Sequence, residues 1–412
     1  MAQIRSFRAL RPQAHLATEV AAPPYDVISS AEARVLAKGK PYSFLHINKP
    51  EIDLPEEVGL YDDEVYAQGV KNLRRFLAEK VFIREEEPSF YVYQQRMGDH
   101  VQAGVVCTVS VEEYDAGLIK RHELTRADKE DDRTRHIHEL NANDEPVFLA
   151  YRQREEIDQL VAKTRAGQPL YDLTTDDGVG HTLWLVPKEI REQLQVAFRQ
   201  VPALYVADGH HRTAAAARVG RERKAANPNH RGDEPYNYFL AVLFPHNQLK
   251  ILDYNRVVKD LNGLAQEVFL GKVAEKFEIL AAKRERPERP HQFAMFLGGK
   301  WYLLVAREGT FPTHDPIDSL DVAILQNNLL FPVLGIADPR TDSRIDFVGG
   351  IRGLAALEER VASGWAVAFA LYPTSIEQVM AVADAGLIMP PKSTWFEPKL
   401  RSGLFLRTLD TW

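Results

Sequence analysis

Two short stretches of the sequence carry residue types able to do chemistry on a charged small molecule. The first is Asp208-Gly209-His210-His211-Arg212, followed by Thr213. It lies between an apolar run, Ala203-Leu-Tyr-Val-Ala207, and an alanine-rich run from Thr213 to Ala226. That order predicts a buried strand, a tight turn and a helix N-terminus. The free N–H groups at a helix start carry partial positive charge and attract phosphate. Gly209 lets the backbone come close to a ligand. His210 and His211 add donors, and Arg212 is suited to a two-pronged grip on phosphate oxygens. Asp208 would repel an anion, so it makes better sense holding a Mg²⁺ that bridges phosphates, or accepting a proton. The plainer reading is an ordinary Asp-Gly turn with Asp208 as helix cap. Two histidines and an arginine beside that turn weigh for the functional reading.

The second stretch is Lys120-Arg-His-Glu-Leu-Thr125. Cations flank Glu123, which favours its ionised form and suits it to act as a base. A solvated charged surface is the competing reading, and it fits Lys129, Asp132, Arg133 and Arg135 better still. Arg218, Arg221, Arg223, Lys224 and Arg231 read as a solvated helix face, because a net charge of −7 disfavours a dedicated nucleic-acid binder. His136 and His138 could face one ligand, but the spacing places no carboxylate or cysteine with them to complete a metal site. Two proline-bracketed segments, Ala22-Pro-Pro-Tyr-Asp26 and Met389-Pro-Pro-Lys-Ser-Thr-Trp-Phe-Glu-Pro-Lys399, are either rigid packing turns or parts of a cleft. In the second, Lys392, Ser393, Thr394 and Lys399 are the residues able to meet an anion.

These residues need elements to hold them, and the apolar patterning supplies an α/β (α+β) set. A capping box at Ser29 and Glu32 starts a short helix. Tyr42 to Ile47 reads as a strand, and a helix spans about 62–82. Strands pair around a Gly98-Asp99 turn, and the charged stretch 120–143 crosses the surface or lines a cleft. A strand at 146–151, a helix at 155–165, a hairpin at 170–186 and a helix at 188–200 lead to the 203–226 unit. Another buried strand follows at 238–244. Beyond residue 260 the pattern restarts with helices, a hairpin at Gly298-Gly299 and a strand at 365–372. Three consecutive regions result: 1–100, 101–255 and 256–412.

Composition and spacing exclude several alternatives. With 45% hydrophobic and 26% charged residues in 412, the chain is an ordinary globular one. The single cysteine, Cys107, allows neither an internal disulfide nor an all-cysteine zinc site, and its apolar strand makes it a core residue. No apolar run approaches the ~20 residues of a membrane span, and the N-terminal stretch lacks a secretory pattern, so a cytoplasmic location is expected. Gly39-Lys40, Gly271-Lys272 and Gly299-Lys300 lack the Ser or Thr of a phosphate loop. Gly178-Val-Gly180 lacks the third glycine of a dinucleotide fingerprint. Neither His122-Glu123 nor His138-Glu139 has the second histidine of a zincin.

Ala22-Pro-Pro-Tyr-Asp26, His122-Glu-Leu-Thr125 with Lys129, Asp208 to Arg212 and Met389 to Lys399 together resemble a large prokaryotic family catalogued as a domain of unknown function. The likeness spans nearly the whole chain. The middle of the chain is also similar to the ParB/sulfiredoxin-like fold, in its archaeal free-serine-kinase branch. Those kinases carry a lysine and a His-Glu pair after their first strand, matched by Lys120, His122 and Glu123, and an Asp-Gly-His-His-Arg turn at a helix start. The resemblance implies nucleotide phosphates on Gly209, His210, His211, Arg212 and Thr213. It also implies catalysis by Glu123, with Asp208 and His210 contributing. This sequence departs in the roughly 80 residues between the two elements and in its flanking regions. Sulfiredoxin chemistry is excluded, because no cysteine stands at the turn.

The expected activity is a phosphotransferase using ATP or ADP with Mg²⁺ and a small hydroxylated acceptor, by analogy serine. The alternatives are a ParB-like nucleotide-binding module without transfer and a phosphatase running the reverse chemistry. No specific nucleic acid and no membrane is expected as a partner.

Overall fold

Runs such as Val147-Phe-Leu-Ala-Tyr151 and Tyr238 to Pro245 are apolar at every position, and a strand of that kind must be covered on both faces. In the computed structural model, which describes residues 2–409, every residue of both runs is buried. The chain divides into two units, residues 1–249 with 398–412, and residues 250–397.

The first unit is built on a nine-stranded mixed sheet. Its strands are β1 (Ile4–Arg5), β2 (Tyr91–Met97), β3 (His100–Ser110), β4 (Ile119–Lys120), β5 (Val147–Tyr151), β6 (Tyr171–Thr174), β7 (Gly180–Leu185), β8 (Leu204–Asp208) and β9 (Tyr238–Pro245). They run in the order β4-β8-β5-β9-β3-β2-β7-β6, with β1 beside β3. Two pairings are parallel, β8 with β4 and β9 with β5. The longer helices are α1 (Asp63–Ala78), α2 (Ala127–Leu140), α3 (Glu155–Arg165), α4 (Lys188–Phe198) and α5 (His210–Ala226). The core gathers Val105, Cys107 and Val109 of β3 with Leu149 of β5, Val206 of β8, Leu243 of β9 and Ala215 and Val219 of α5.

The second unit carries an antiparallel six-stranded sheet: β10 (Tyr254–Val258), β11 (Phe277–Ala281), β12 (Gln292–Leu297), β13 (Lys300–Ala306), β14 (Ile345–Gly349) and β15 (Val367–Leu371). Its order is β11-β13-β12-β15-β10-β14, around a core that includes Phe269, Phe293, Leu304 and Phe369.

Three readings of the sequence change. Tyr42 to Ile47 is not a strand but a turn leading into a short helix, Leu45–Asn48. Phe44, Leu45, Ile47 and Asn48 are buried together, a spacing that a short apolar run cannot distinguish from a strand. The helix of the 203–226 unit starts at His210, so both histidines belong to its first turn. Residues 1–100 are not a separate region, because β1 and β2 pair with β3 in one sheet. Among the described residues, no helix is long and apolar enough to cross a membrane.

Candidate functional site

The end of β8 is bent. Its pairing with β5 shifts register between Val206 and Asp208, an irregularity that re-aims the side chains beyond it. Gly209 then takes φ +91°, a left-handed conformation in which a Cβ would stand 3.0 Å from the Arg212 guanidinium. Glycine alone takes that conformation without strain, and the Arg212 side chain folds back over it. Arg212 Nη1 donates to the Pro146 carbonyl at 2.6 Å and Nη2 to Asp208 Oδ2 at 2.9 Å. Thr213 donates its N–H and its hydroxyl to the Gly209 carbonyl, both at 2.9 Å. No side chain caps α5, a helix of 17 residues.

Asp208 is held by cations on both sides. Its Oδ1 accepts from Lys399 Nζ at 2.8 Å, opposite the Arg212 bond to Oδ2. Burial opposes its charge, but Lys399 and Arg212 outweigh burial and hold the carboxyl well below the usual range. Arg212 is equally committed. Burial opposes its charge too, yet Asp26, Asp208 and Glu145 keep it protonated. Asp26 Oδ2 lies 3.8 Å from Arg212 Nη2. Glu145 accepts from the Tyr25 N–H, Asn48 Nδ2 and Ser402 Oγ, and the Tyr25 ring lies 4.1 Å from the Arg133 guanidinium. The Ala22–Asp26 segment is thereby fastened to the back of the turn.

The parallel pairing of β4 with β8, Leu204 opposite Ile119 and Tyr205 opposite Lys120, carries the chain beyond Lys120 to the same end of the sheet as Asp208. Glu123 Oε2 stands 3.8 Å from His210 Nδ1, with the Glu123 side chain 42% exposed. His122 is buried edge-on to His210, their ring centroids 4.5 Å apart. The His122 ring donates to the Val206 carbonyl, and burial pushes its pKa down to about 4. Burial, with His122 adding to it, moves His210 well below the usual value, and burial lowers His211 as well. His211 Nε2 accepts from the Arg126 N–H at 3.1 Å. Three neutral imidazoles therefore line the start of α5 at neutral pH.

All seven residues expected from sequence are thus near one helix start, but they divide into two groups. Glu123, His210 and His211 stand beside the first turn, whereas Asp208, Gly209, Arg212 and Thr213 form and brace it. Asp208, with both oxygens bonded to cations, does not fit as a Mg²⁺ ligand in this arrangement. The metal-capable set found among the described residues is His122, Glu123 and His210, each offering one donor atom within 4.8 Å of the others.

Lys399, His122 and Asp26 complete the site. Lys399 stands out in the sequence only as one of the four residues of its segment able to meet an anion. The other three lie in the second unit, where the Ser393 hydroxyl donates to the Pro390 carbonyl and the Lys392 ammonium lies 5.6 Å from the Tyr254 ring. His136 pairs with Asp144, and His138 with Glu222. Arg218 pairs with Asp131 and Glu222, and Arg221 with Asp115, which accounts for these basic residues of α5 as solvated ion pairs.

The family model described as "Protein of unknown function (DUF1015)" matches residues 4–323, and the chain belongs to that family. No curated protein matches it. Among solved structures it is similar to a free serine kinase in complex with AMP, at 14% identity and a TM-score of 0.37, covering 73% of this chain and 92% of that one. A mutant of a free serine kinase in complex with ADP is similar at 15% identity and a TM-score of 0.36, with the same coverage. A conserved hypothetical protein from Pyrococcus furiosus is similar at 12% identity and a TM-score of 0.36, covering 73% of this chain and 95% of that one.

Proposed function

We propose that this member of the DUF1015 family is a phosphotransferase, moving a phosphoryl group between ATP or ADP and a small hydroxylated metabolite of which serine is the first to test. The single observation that carries the reading is Glu123 standing 3.8 Å from His210 at the uncapped start of α5. Two elements that the sequence resemblance assigns to nucleotide-phosphate binding and to catalysis in a ParB/sulfiredoxin-like core therefore meet at one place.

In this reading the nucleotide phosphates accept hydrogen bonds from the first-turn N–H groups of α5, from Gly209 to Arg212. Lys399, tethered by Asp208, is the ammonium beside them. Phosphoryl transfer asks mainly for positioning and charge neutralisation, and a helix start with a fixed cation offers both. Glu123 takes the acceptor's hydroxyl proton as the new oxygen–phosphorus bond forms and the bond to the departing nucleotide oxygen breaks. In the reverse direction it returns that proton. Arg212 acts by fixing the left-handed turn at Gly209 and by holding Asp208.

The test is transfer from γ-labelled ATP to a panel of hydroxylated metabolites. Glu123→Gln is expected to keep nucleotide affinity and lose turnover by roughly 10²–10⁴, the range a general base contributes. Equal turnover in wild type and Glu123→Gln, on a metabolite that wild type accepts, removes Glu123 from the chemistry. Tight nucleotide binding with no transfer to any acceptor makes the turn a nucleotide-binding module instead.

A further inference from the structure

We infer that His122, Glu123 and His210 form a binding site for a divalent cation of the zinc class, independent of any nucleotide. Each side chain offers one donor atom, and the three atoms lie within 4.8 Å of one another. Two ligands of a tetrahedral ion with bonds of ~2.1 Å stand about 3.4 Å apart, so side-chain shifts of under about one ångström close the set. His210 supplies the second observation. It is 6% exposed, its Nδ1 is the ring nitrogen 3.8 Å from Glu123 Oε2, and its Nε2 is buried with no hydrogen-bond partner among the described residues. Native structures rarely leave such an atom alone, and a metal, water or ligand ordinarily answers for it.

The donor chemistry chooses the cation. Two imidazole nitrogens and one carboxylate oxygen suit Zn²⁺ and its first-row neighbours, whereas Mg²⁺ and Ca²⁺ take all-oxygen sets. His122 also has the support that a metal-bound imidazole usually has, since its ring donates to the Val206 carbonyl and is fixed by it. Three protein ligands on a four-coordinate ion leave one position for water or an anionic ligand, as in catalytic rather than structural zinc sites. The uncapped start of α5, which begins at His210 itself, favours an anion there.

The test uses the untagged full-length chain, stripped with chelator and free of nucleotide. Co²⁺ titration is expected to give the visible absorption of a nitrogen- and oxygen-bound ion, saturating at one per chain and bleached by Zn²⁺ but not by excess Mg²⁺. Glu123→Ala, His122→Ala and His210→Ala are each expected to weaken Co²⁺ binding by at least about tenfold. The two histidines are buried, so if their variants fail to fold the decision falls to Glu123→Ala, whose side chain is part-exposed. No uptake of Co²⁺ or Zn²⁺ by wild type, unchanged affinity in folded Glu123→Ala, or equal displacement by Mg²⁺ overturns the inference. Because nucleotide is absent throughout, the outcome is separate from that of the phosphotransfer assay.

Discussion

Arg212 reads in the sequence as a phosphate clamp and acts in the fold as the keystone of a carboxylate cluster. The residue is 6% exposed, and its guanidinium faces Asp208, Asp26 and the buried Glu145. Truncating one partner of a buried charge pair leaves the other uncompensated and costs about 3–5 kcal/mol. Arg212→Ala is therefore expected to lower stability by that order in urea unfolding, an effect well beyond a loss of ligand affinity. Wild-type stability in Arg212→Ala would contradict the assignment. Lys399→Met removes a more accessible, charge-assisted bond to Asp208, and a loss of about 1.5–3 kcal/mol is expected. Lys399→Arg, which keeps the charge, is expected to recover part of it.

At the scale of elements, the turn between β8 and α5 works because Gly209 has no side chain. Gly209→Ala must hold φ near +91° and push a Cβ to 3.0 Å from the Arg212 guanidinium. Strain of that kind costs about 1–3 kcal/mol, and the displaced Arg212 releases Asp208. A lowered melting temperature together with lost nucleotide binding is the expected result, and an unchanged melting curve would show that the turn is not strained as described. This unit was legible in the sequence because its parts are contiguous: an apolar run, a glycine and an alanine-rich run. The residue pattern sets the start of α5 three residues late, because His210 and His211 look like turn residues although they occupy the first helical turn. Tyr42 to Ile47 reads as a strand because helix and strand share the pattern of a short apolar run. The meeting of Glu123 with His210 was not legible from patterning at all. It depends on the parallel pairing of β4 with β8, whose partners are 85 residues apart, and only the family resemblance pointed to it.

At the scale of the whole molecule, the residues least visible in the sequence are those brought back by the 398–409 segment. Lys399 and Asp208 are 191 positions apart, and no local signal joins them. The segment is fastened to the first unit by a buried polar network. Gln95 Nε2 donates to the Lys399 carbonyl, the Arg401 N–H donates to the Tyr93 hydroxyl, and Arg401 bonds to His181, Thr175 and Asp177. Burial, with Arg401 adding to it and Asp177 opposing, pushes His181 down to about 3. The unfolded chain takes up that proton near pH ~6.5 and the native state does not. The contribution is therefore intact above that pH and declines as pH falls toward 3, by about 1.4 kcal/mol per unit. Urea midpoints measured across this window are expected to fall more steeply in wild type than in His181→Gln. Parallel slopes would remove His181 from the acid response.

The central claim is that the start of α5 holds phosphate, and a crystal soaked with ADP tests it most directly. Phosphate oxygens are predicted within about 3 Å of the backbone nitrogens of residues 209–212, with Glu123 facing the terminal phosphate. Nucleotide density at any other place, or none at saturating ADP, would contradict the account.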